Sequence, residues 1–291
     1  MTEPWCVLLA SRPNARDAQR ALPDRLELPD SEDLLSAAVS RALSISSRKA
    51  IAAVISAQTQ DWHRTLSLHL DARNLIVQPR HQGTGYEVLL ALLRLERIIP
   101  PSTPVVFFPV DCVISDEGVL TRALERLVEW IASESSPVYL LGAVPRSPHD
   151  QLGYIVPWHD AIHMPTSVYE FVERPDASEA RRLIHLGGLW NTFMFGGTVM
   201  SLINLFRPEF AAVITELSAA LQAQPQSIER IARTYDKLTP VDFSQSVLAK
   251  RTDQLHVLRL PRCGWWPLTA ATVAPAAARA SGRGDAAEWP G

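Results

Sequence analysis

The sequence predicts an α/β fold, with a mostly parallel central sheet flanked by helices. Three observations carry that expectation. Short β-type runs alternate with amphipathic segments of helical period along the first half of the chain. The β-type runs are apolar on consecutive residues, as strands covered on both faces are. And the 291 residues, 47% of them hydrophobic, are enough for a large buried core and exclude a mainly disordered chain.

Residues 5–10 (WCVLLA) read as the first strand. Residues 32–44 read as a helix, because Leu34, Leu35, Ala38, Val39, Ala42 and Leu43 fall on one face. Strands follow at 50–55 (AIAAVI) and 74–77 (NLIV), then a helix from about Glu87 to Arg97. The continuous apolar run 104–109 (PVVFFP) is a buried strand. Residues 118–132 form a helix, with Ala123, Leu124, Leu127, Val128 and Ile131 at helical spacing, and 138–142 (VYLLG) form the next strand. Such alternation gives a parallel sheet covered on both faces. The second half changes character. Two strand-like runs, 153–156 and 168–173, surround a polar loop, and a helix follows at about 178–186. A further helix is expected at 209–221, with Phe210, Val213, Ile214, Leu217 and Leu221 inward, and a late strand at 255–260 (LHVLRL).

Composition narrows the function classes. With 28 basic and 31 acidic side chains the net charge is −3, which lacks the basic excess of a general nucleic-acid binder. Cys6, Cys112 and Cys263 are too few and too far apart for a disulfide framework or a CxxC metal pair. The start, MTEPWCVLLASRP, lacks the basic and long apolar regions of a secretory signal. No stretch approaches the ~18 apolar residues of a membrane span. A cytoplasmic protein, with no nucleic-acid or membrane partner, is the expectation. In open sheets of this kind ligands bind beyond the carboxyl ends of the strands, so polar residues just after strands are the site candidates.

One segment goes further than the generic pattern. NLIVQPRHQGTGYEVLLALL (74–93) resembles the strand, Q-P-x-N-x-G-T-A loop and helix of the sugar-1-phosphate nucleotidyltransferases, and most closely the mannose-1-phosphate guanylyltransferases. Further matches follow in the family's order. PVVFFPVDCVI (104–114) looks like the strand ending in P-S-D-H, and VYLLGAVPRSP with GYIVP (138–157) like L-L-G-I-x-P and Y-G-x-I. FVERPD (171–176) is similar to F-V-E-K-P-D, and GGLWNTFMF (187–195) to G-x-L-W-N-T/S-x-M/I-F. DFSQSVL (242–248) and CGWW (263–266) resemble D-F-S-x-x-V-L and G-W-S-D-L-G. The blocks span about residues 70–268.

The resemblance implies a Rossmann-like nucleotidyltransferase (GT-A-like) domain over 1–269; from Ala270 onward the composition collapses to Ala, Gly, Pro and Thr, which reads as a disordered low-complexity tail at 270–291. It implies GTP or another nucleoside triphosphate and a sugar 1-phosphate as ligands. The implied reaction joins them into a nucleotide sugar and pyrophosphate, a step of nucleotide-sugar biosynthesis, with Mg²⁺ neutralising phosphate charge. Asp111 then matches the family's metal-binding, catalytic carboxylate, a hard oxygen ligand suited to Mg²⁺. Arg16 matches the arginine of the loop after the first strand. Gln78, Gly83 and Thr84 fall where the family meets the nucleobase. Gly153, Glu173, Arg174 and Asn191 fall where it holds the sugar phosphate, Arg174 replacing a lysine. Against each role stands a plain structural one: a strand-end Asp that caps a turn, an ordinary loop glycine, a surface Glu-Arg-Pro turn. Trp190, beside Leu189 and Phe193, reads as core.

Two regions depart from the family. Its L-A-G-G-x-G-T-R-L loop uses glycines so that main-chain N–H groups cradle the triphosphate. Here Leu9-Ala10-Ser11-Arg12-Pro13-Asn14-Ala15-Arg16 has no glycine, and Pro13 removes one N–H. The family's P-K-Q-F lysine is matched by Asp24. In G-W-S-D-L-G the second metal-binding Asp is matched by Pro267, leaving Mg²⁺ with Asp111 alone. Two readings follow: a guanylyltransferase with a remodelled phosphate loop, or a catalytically inactive homologue that binds nucleotide or sugar phosphate or regulates a partner protein. Self-association and assembly with another chain stay open.

Overall fold

A computed structural model describes residues 2–11, 31–57, 60–223 and 227–268. The loop containing Arg16 and Asp24 and the expected tail at 270–291 lie outside the described residues. The first half runs β1 (Trp5–Ala10), α1 (Ser31–Ile45), β2 (Ile51–Ser56), α2 (Gln60–His69), β3 (Leu75–Gln78), α3 (Thr84–Leu95) and β4 (Pro104–Pro109). The second half runs β5 (Cys112–Val113), α4 (Glu117–Ser133), β6 (Val138–Ala143), β7 (Tyr154–Pro157), β8 (Thr166–Val172), α5 (Ala177–His185) and β9 (Leu189–Thr198). It continues with α6 (Val199–Gln222), α7 (Ser227–Tyr235), α8 (Phe243–Ser246), β10 (Leu255–Arg259) and β11 (Trp266–Pro267).

Nine strands form one sheet in the order β3-β2-β1-β4-β9-β6-β10-β8-β7. β1 is parallel to β2 and β4, β2 to β3, and β6 to β10. β9 runs against β4 and β6, and β8 against β10 and β7. Only β8 and β9 therefore oppose the common direction: seven of the nine strands run one way as expected, while the pairings of β8 and β9 are antiparallel. Successive residues of each apolar run serve opposite faces. Cys6, Leu8 and Ala10 of β1 join Ile51, Ala53 and Ile55 of β2 beneath α1, while Val7, Leu9, Ala52 and Val54 enter the core beneath α3 and α6. Both faces of these strands are buried, which explains the unbroken apolar runs. α1 packs on α2 and α4 on one side, and α6 on α3 and α7 on the other.

Two elements differ from the expectations in a way that shapes the site. The helix expected at 209–221 is the second part of α6, which begins at Val199 and is kinked at Phe210 (φ −118°, ψ 18°), two residues after Pro208. Proline removes a helical N–H and crowds the preceding turn, which accounts for a kink rather than a start. β9, which no run in the sequence announced as a strand, is central. Its residues 195–198 pair with β4, while Leu189 and Trp190 pair with β7 on the same edge. Its other edge pairs with β6. The β9–β7 pairing closes β9-β6-β10-β8-β7 into a ring of strands. Between its two partners on that edge, β9 is bulged. Leu140 faces Phe195 but Gly142 faces Asn191, so β9 carries two extra residues there.

Candidate functional site

An open cleft of about 930 Å³ lies where β4 and β7 part from β9, beyond the carboxyl end of β4. This is the position that the strand-end rule selects. Six of the sequence-selected residues line it: Thr84, Asp111, Gly153, Glu173, Arg174 and Asn191.

Asp111 lies two residues past the end of β4, and its carbonyl accepts a hydrogen bond from the Leu268 N–H at 2.8 Å. The short β5–β11 pair sets Cys112 opposite Pro267, and Pro267 lines the cleft with Asp111. The stretch carrying Asp111 is held from below by Arg41. That side chain is only 5% exposed and binds the Glu117 carboxylate at 2.8 Å. It also donates to the Cys112 carbonyl at 3.4 Å. Burial opposes the Arg41 charge, but the neighbouring Cys112 and Glu117 outweigh it, so its pKa rises.

Across the cleft, the end of the Glu173 carboxylate lies over Gly153. A Cβ built there would stand 2.4 Å from Glu173 Oε2. The Asn191 N–H donates to the Gly153 carbonyl at 2.8 Å, tying β9 to this loop. The Asn191 side chain accepts from the Phe193 N–H (3.1 Å) and donates to Ser244 Oγ (3.3 Å). Arg174 forms a loose ion pair with Glu173 at 3.6 Å, and both side chains remain partly exposed. Among the described residues, Arg174 (φ 50°) and Phe193 (φ 60°) are the two non-glycine residues with positive φ. Both line the cleft. Left-handed backbone at a bulky residue costs of order 1–3 kcal/mol, and such strain concentrates at binding sites.

The 83–85 turn is fastened to the 241–244 segment. Gly83 takes φ 86° and ψ 163°, a region open essentially to glycine alone. A Cβ there would meet the Val241 carbonyl oxygen at 2.2 Å. The Gly85 N–H donates to that carbonyl (2.9 Å), and the Val241 N–H donates to the Gln82 carbonyl (3.0 Å). Thr84 Oγ1 accepts from the Phe243 N–H at 2.9 Å. The DFS segment thus straps the turn at the start of α3 to Asn191 in β9.

Two expected base-side residues are placed differently. Gln78 is fully buried and does not line the cleft. Its amide donates to Ser11 Oγ (2.8 Å) and accepts from the Tyr235 hydroxyl (3.2 Å). Gly83 also stays off the cleft wall, because it packs on Val241. Trp190 is core, 2% exposed, as expected. The sequence did not single out Glu87, Phe193 or Ser244, which all line the cleft. Glu87, inside the apolar stretch of α3, is 1% exposed and accepts the Ser11 N–H at 3.1 Å. A charged residue amid GYEVLLALL is the one signal that pointed to it.

Among the described residues no three His, Cys, Asp or Glu side chains group as a metal cage. With Pro267 beside Asp111 in the cleft lining, a cation here would have one carboxylate of the β4 and β11 segments as its anchor. Mg²⁺ often keeps several waters and takes one or two carboxylates together with substrate phosphates, so Asp111 fits an ion that arrives with a polyphosphate. No helix among the described residues is long and apolar enough to cross a membrane.

No protein-family model matches the chain. Over 133 residues it is 31% identical to the alginate biosynthesis protein AlgA of Pseudomonas putida, a match covering 44% of this chain and 27% of that one. Over 145 residues it is 28% identical to the mannose-1-phosphate guanylyltransferase of Escherichia coli, covering 47% of this chain and 30% of that one. The matches thus span less than a third of these relatives' length. A crystal structure of a mannose-1-phosphate geranyltransferase from Thermus thermophilus superposes with a TM-score of 0.74 at 19% identity, covering 91% of this chain and 76% of that one. The likeness establishes the Rossmann-like nucleotidyltransferase fold.

Proposed function

Starting from a chain homologous to sugar-1-phosphate nucleotidyltransferases, we propose a mannose-1-phosphate guanylyltransferase-like protein. It keeps the sugar side of the cleft and has lost most of the means to grip and transfer phosphate. One observation carries this reading. Gly153, Glu173, Arg174 and Asn191 converge with Thr84 and Asp111 on one cleft, whose lining also carries Pro267. In this reading Glu173 and Asn191 bond the sugar hydroxyls. Arg174 offers its guanidinium fork to the sugar phosphate. Gly153 leaves space for the ring. Asp111 would hold a Mg²⁺ ion, which supplies charge neutralisation at phosphate when bound. The missing loop glycines, the missing lysine and Pro267 each remove a phosphate-handling element. A single lost electrostatic donor already costs about 10²–10³ in rate, so transfer is expected to be slower by several powers of ten. A chain can keep this architecture without its chemistry, and as an inactive homologue it would serve by binding ligand or by regulating a partner protein.

Calorimetric titration with GDP-mannose, and with GTP and Mg²⁺ in the presence and absence of mannose 1-phosphate, tests the proposal alongside an assay of pyrophosphate release. Nucleotide-sugar or sugar-phosphate binding with negligible pyrophosphate release is the expected result. Release at the 1–10³ s⁻¹ of ordinary enzymes, roughly, would establish a working transferase with a remodelled loop. No binding of any of these ligands to the folded protein would refute the proposal.

A further inference from the structure

A second open hollow, of about 1040 Å³, lies at the other end of the sheet from the cleft. β1 joins the two places: Trp5 at its start lines the hollow, and Leu9 near its end lines the cleft. Two short 3-10 turns and the end of α3 build the hollow. The Arg48–Ala50 turn leads into β2 and the Ala72–Asn74 turn into β3. Asn74, 9% exposed, ties these turns together, because its Nδ2 donates to the Lys49 carbonyl at 3.1 Å and to the Ile51 carbonyl at 2.9 Å. α3 adds Arg94 in its last turn, and Arg97 follows just beyond. Trp5, Ile76 and Leu95 supply apolar lining. Four basic side chains, Lys49, Arg73, Arg94 and Arg97, line the hollow, and no acidic one does. Asp71 already binds Arg73 at 2.9 Å. Lys49, Arg94 and Arg97 have no ion pair among the described residues. Glu96, the C-cap of α3, stays off the lining, and the carbonyl end of the helix favours Arg94 without neutralising it.

We infer that this hollow is a second binding site, for a chain of two or more phosphates gripped by Lys49, Arg94 and Arg97. In a chain of net charge −3, a concavity of one sign over apolar walls focuses the field and draws anions. Arginine forks take phosphate oxygens in pairs, and lysine adds a compact charge. Several cations spread around one hollow match an anion whose charge is spread likewise, whereas a lone carboxylate would satisfy one of them. The inference does not rest on the reading of the cleft, which lies at the opposite end of the strands.

The test titrates inorganic pyrophosphate calorimetrically into the full chain, without added divalent cation so that metal-dependent binding in the cleft stays out of play. The parent is compared with the Arg94→Ala, Arg97→Ala double variant, with Lys49→Ala, and with Arg174→Ala, whose change lies in the cleft. Lys49 and Arg97 are exposed and Arg94 is half-buried, so these truncations leave the core intact. The double variant is expected to bind pyrophosphate at least about tenfold more weakly than the parent, as the loss of two charge-assisted contacts implies. Lys49→Ala should weaken binding by less, and Arg174→Ala should leave it unchanged. No binding by the parent, equal affinity in the double variant, or a loss in Arg174→Ala alone would overturn the inference. Citrate, an anion built of carboxylates, binding as tightly as pyrophosphate would overturn the phosphate class. GDP, with the same number of phosphates, separates the sources. A loss of GDP affinity in the double variant marks a nucleotide-borne chain, a loss for pyrophosphate alone marks the free anion, and either upholds the site.

Discussion

Gly83→Ala is the substitution whose cost can be worked most closely from the structure. Two terms add. At φ 86° and ψ 163° an alanine sits in a region that costs of order 1–3 kcal/mol. Its Cβ would also stand 2.2 Å from the Val241 carbonyl oxygen and 2.7 Å from the Val241 nitrogen and carbonyl carbon. Those are main-chain atoms, so a rotamer change cannot relieve the clash. The two strands of the strap must part, and the Gly85–Val241 and Val241–Gln82 hydrogen bonds weaken at about 0.5–1.5 kcal/mol each. The sum is about 2–6 kcal/mol. Gly187→Ala is the control. Gly187 has φ 79° but nothing within 4 Å of its ideal Cβ. It sits just past α5, where a left-handed glycine commonly ends a helix. There only the conformational term remains, about 1–2 kcal/mol. Equilibrium urea unfolding of the three proteins at 25 °C reads both numbers. Equal costs for the two variants would refute the claim that the 83–85 turn is welded to the 241–243 segment.

Asp111→Ala is expected to abolish whatever slow transferase activity the chain shows and to change unfolding free energy by less than about 1 kcal/mol; unchanged turnover in a pyrophosphate-release assay would remove Asp111 from the site. Burial lowers the pKa of His149 and His256 below 6.5. Their neutral forms therefore contribute stability that is full above the unfolded value and is lost as pH falls from 6.5 through the folded values. The His149→Asn, His256→Asn double variant should flatten the fall in unfolding free energy below that pH, and an identical pH slope in both proteins would contradict it. Cys6, Cys112 and Cys263 are free and buried, and burial pushes the Cys112 thiol up to about 12. A thiol reagent at pH 8 should label the native chain slowly and the urea-unfolded chain at once; rapid native labelling would contradict that burial.

What the sequence revealed depended on how local the cause was. The run PVVFFP is β4 residue for residue, since its β-branched and aromatic residues between two prolines favour a strand. α2 went unread because its stretch QDWHRTLSLH is largely polar and buries little more than Trp62 and Leu66. β9 went unread for a different reason. Asn191, Gly196 and Gly197 are poor strand formers, and the strand exists because β4 and β6 pair with its two edges. The same split holds at the site. Asp111, Glu173 and Asn191 were visible through ordered motifs. Phe193 was not, because its backbone conformation belongs to a bulge set by distant partners. Gln78 matched a motif, yet its amide is taken up by Ser11 and Tyr235. Motif identity alone does not say which way a side chain faces.

The place of β9 sets an order of assembly. The four strands β3, β2, β1 and β4 come from the first 109 residues and pair only among themselves until β9 arrives. β6 has no parallel neighbour until β10 is made, near the end of the described chain. A nascent chain released before residue 198 would therefore carry two apolar strands, β4 and β6, each with an edge open to any passing partner. The cleft lies along that same late seam. It comes into being only when synthesis has passed the DFS strap and β11, so the proposed binding cleft is completed in the last stage of folding.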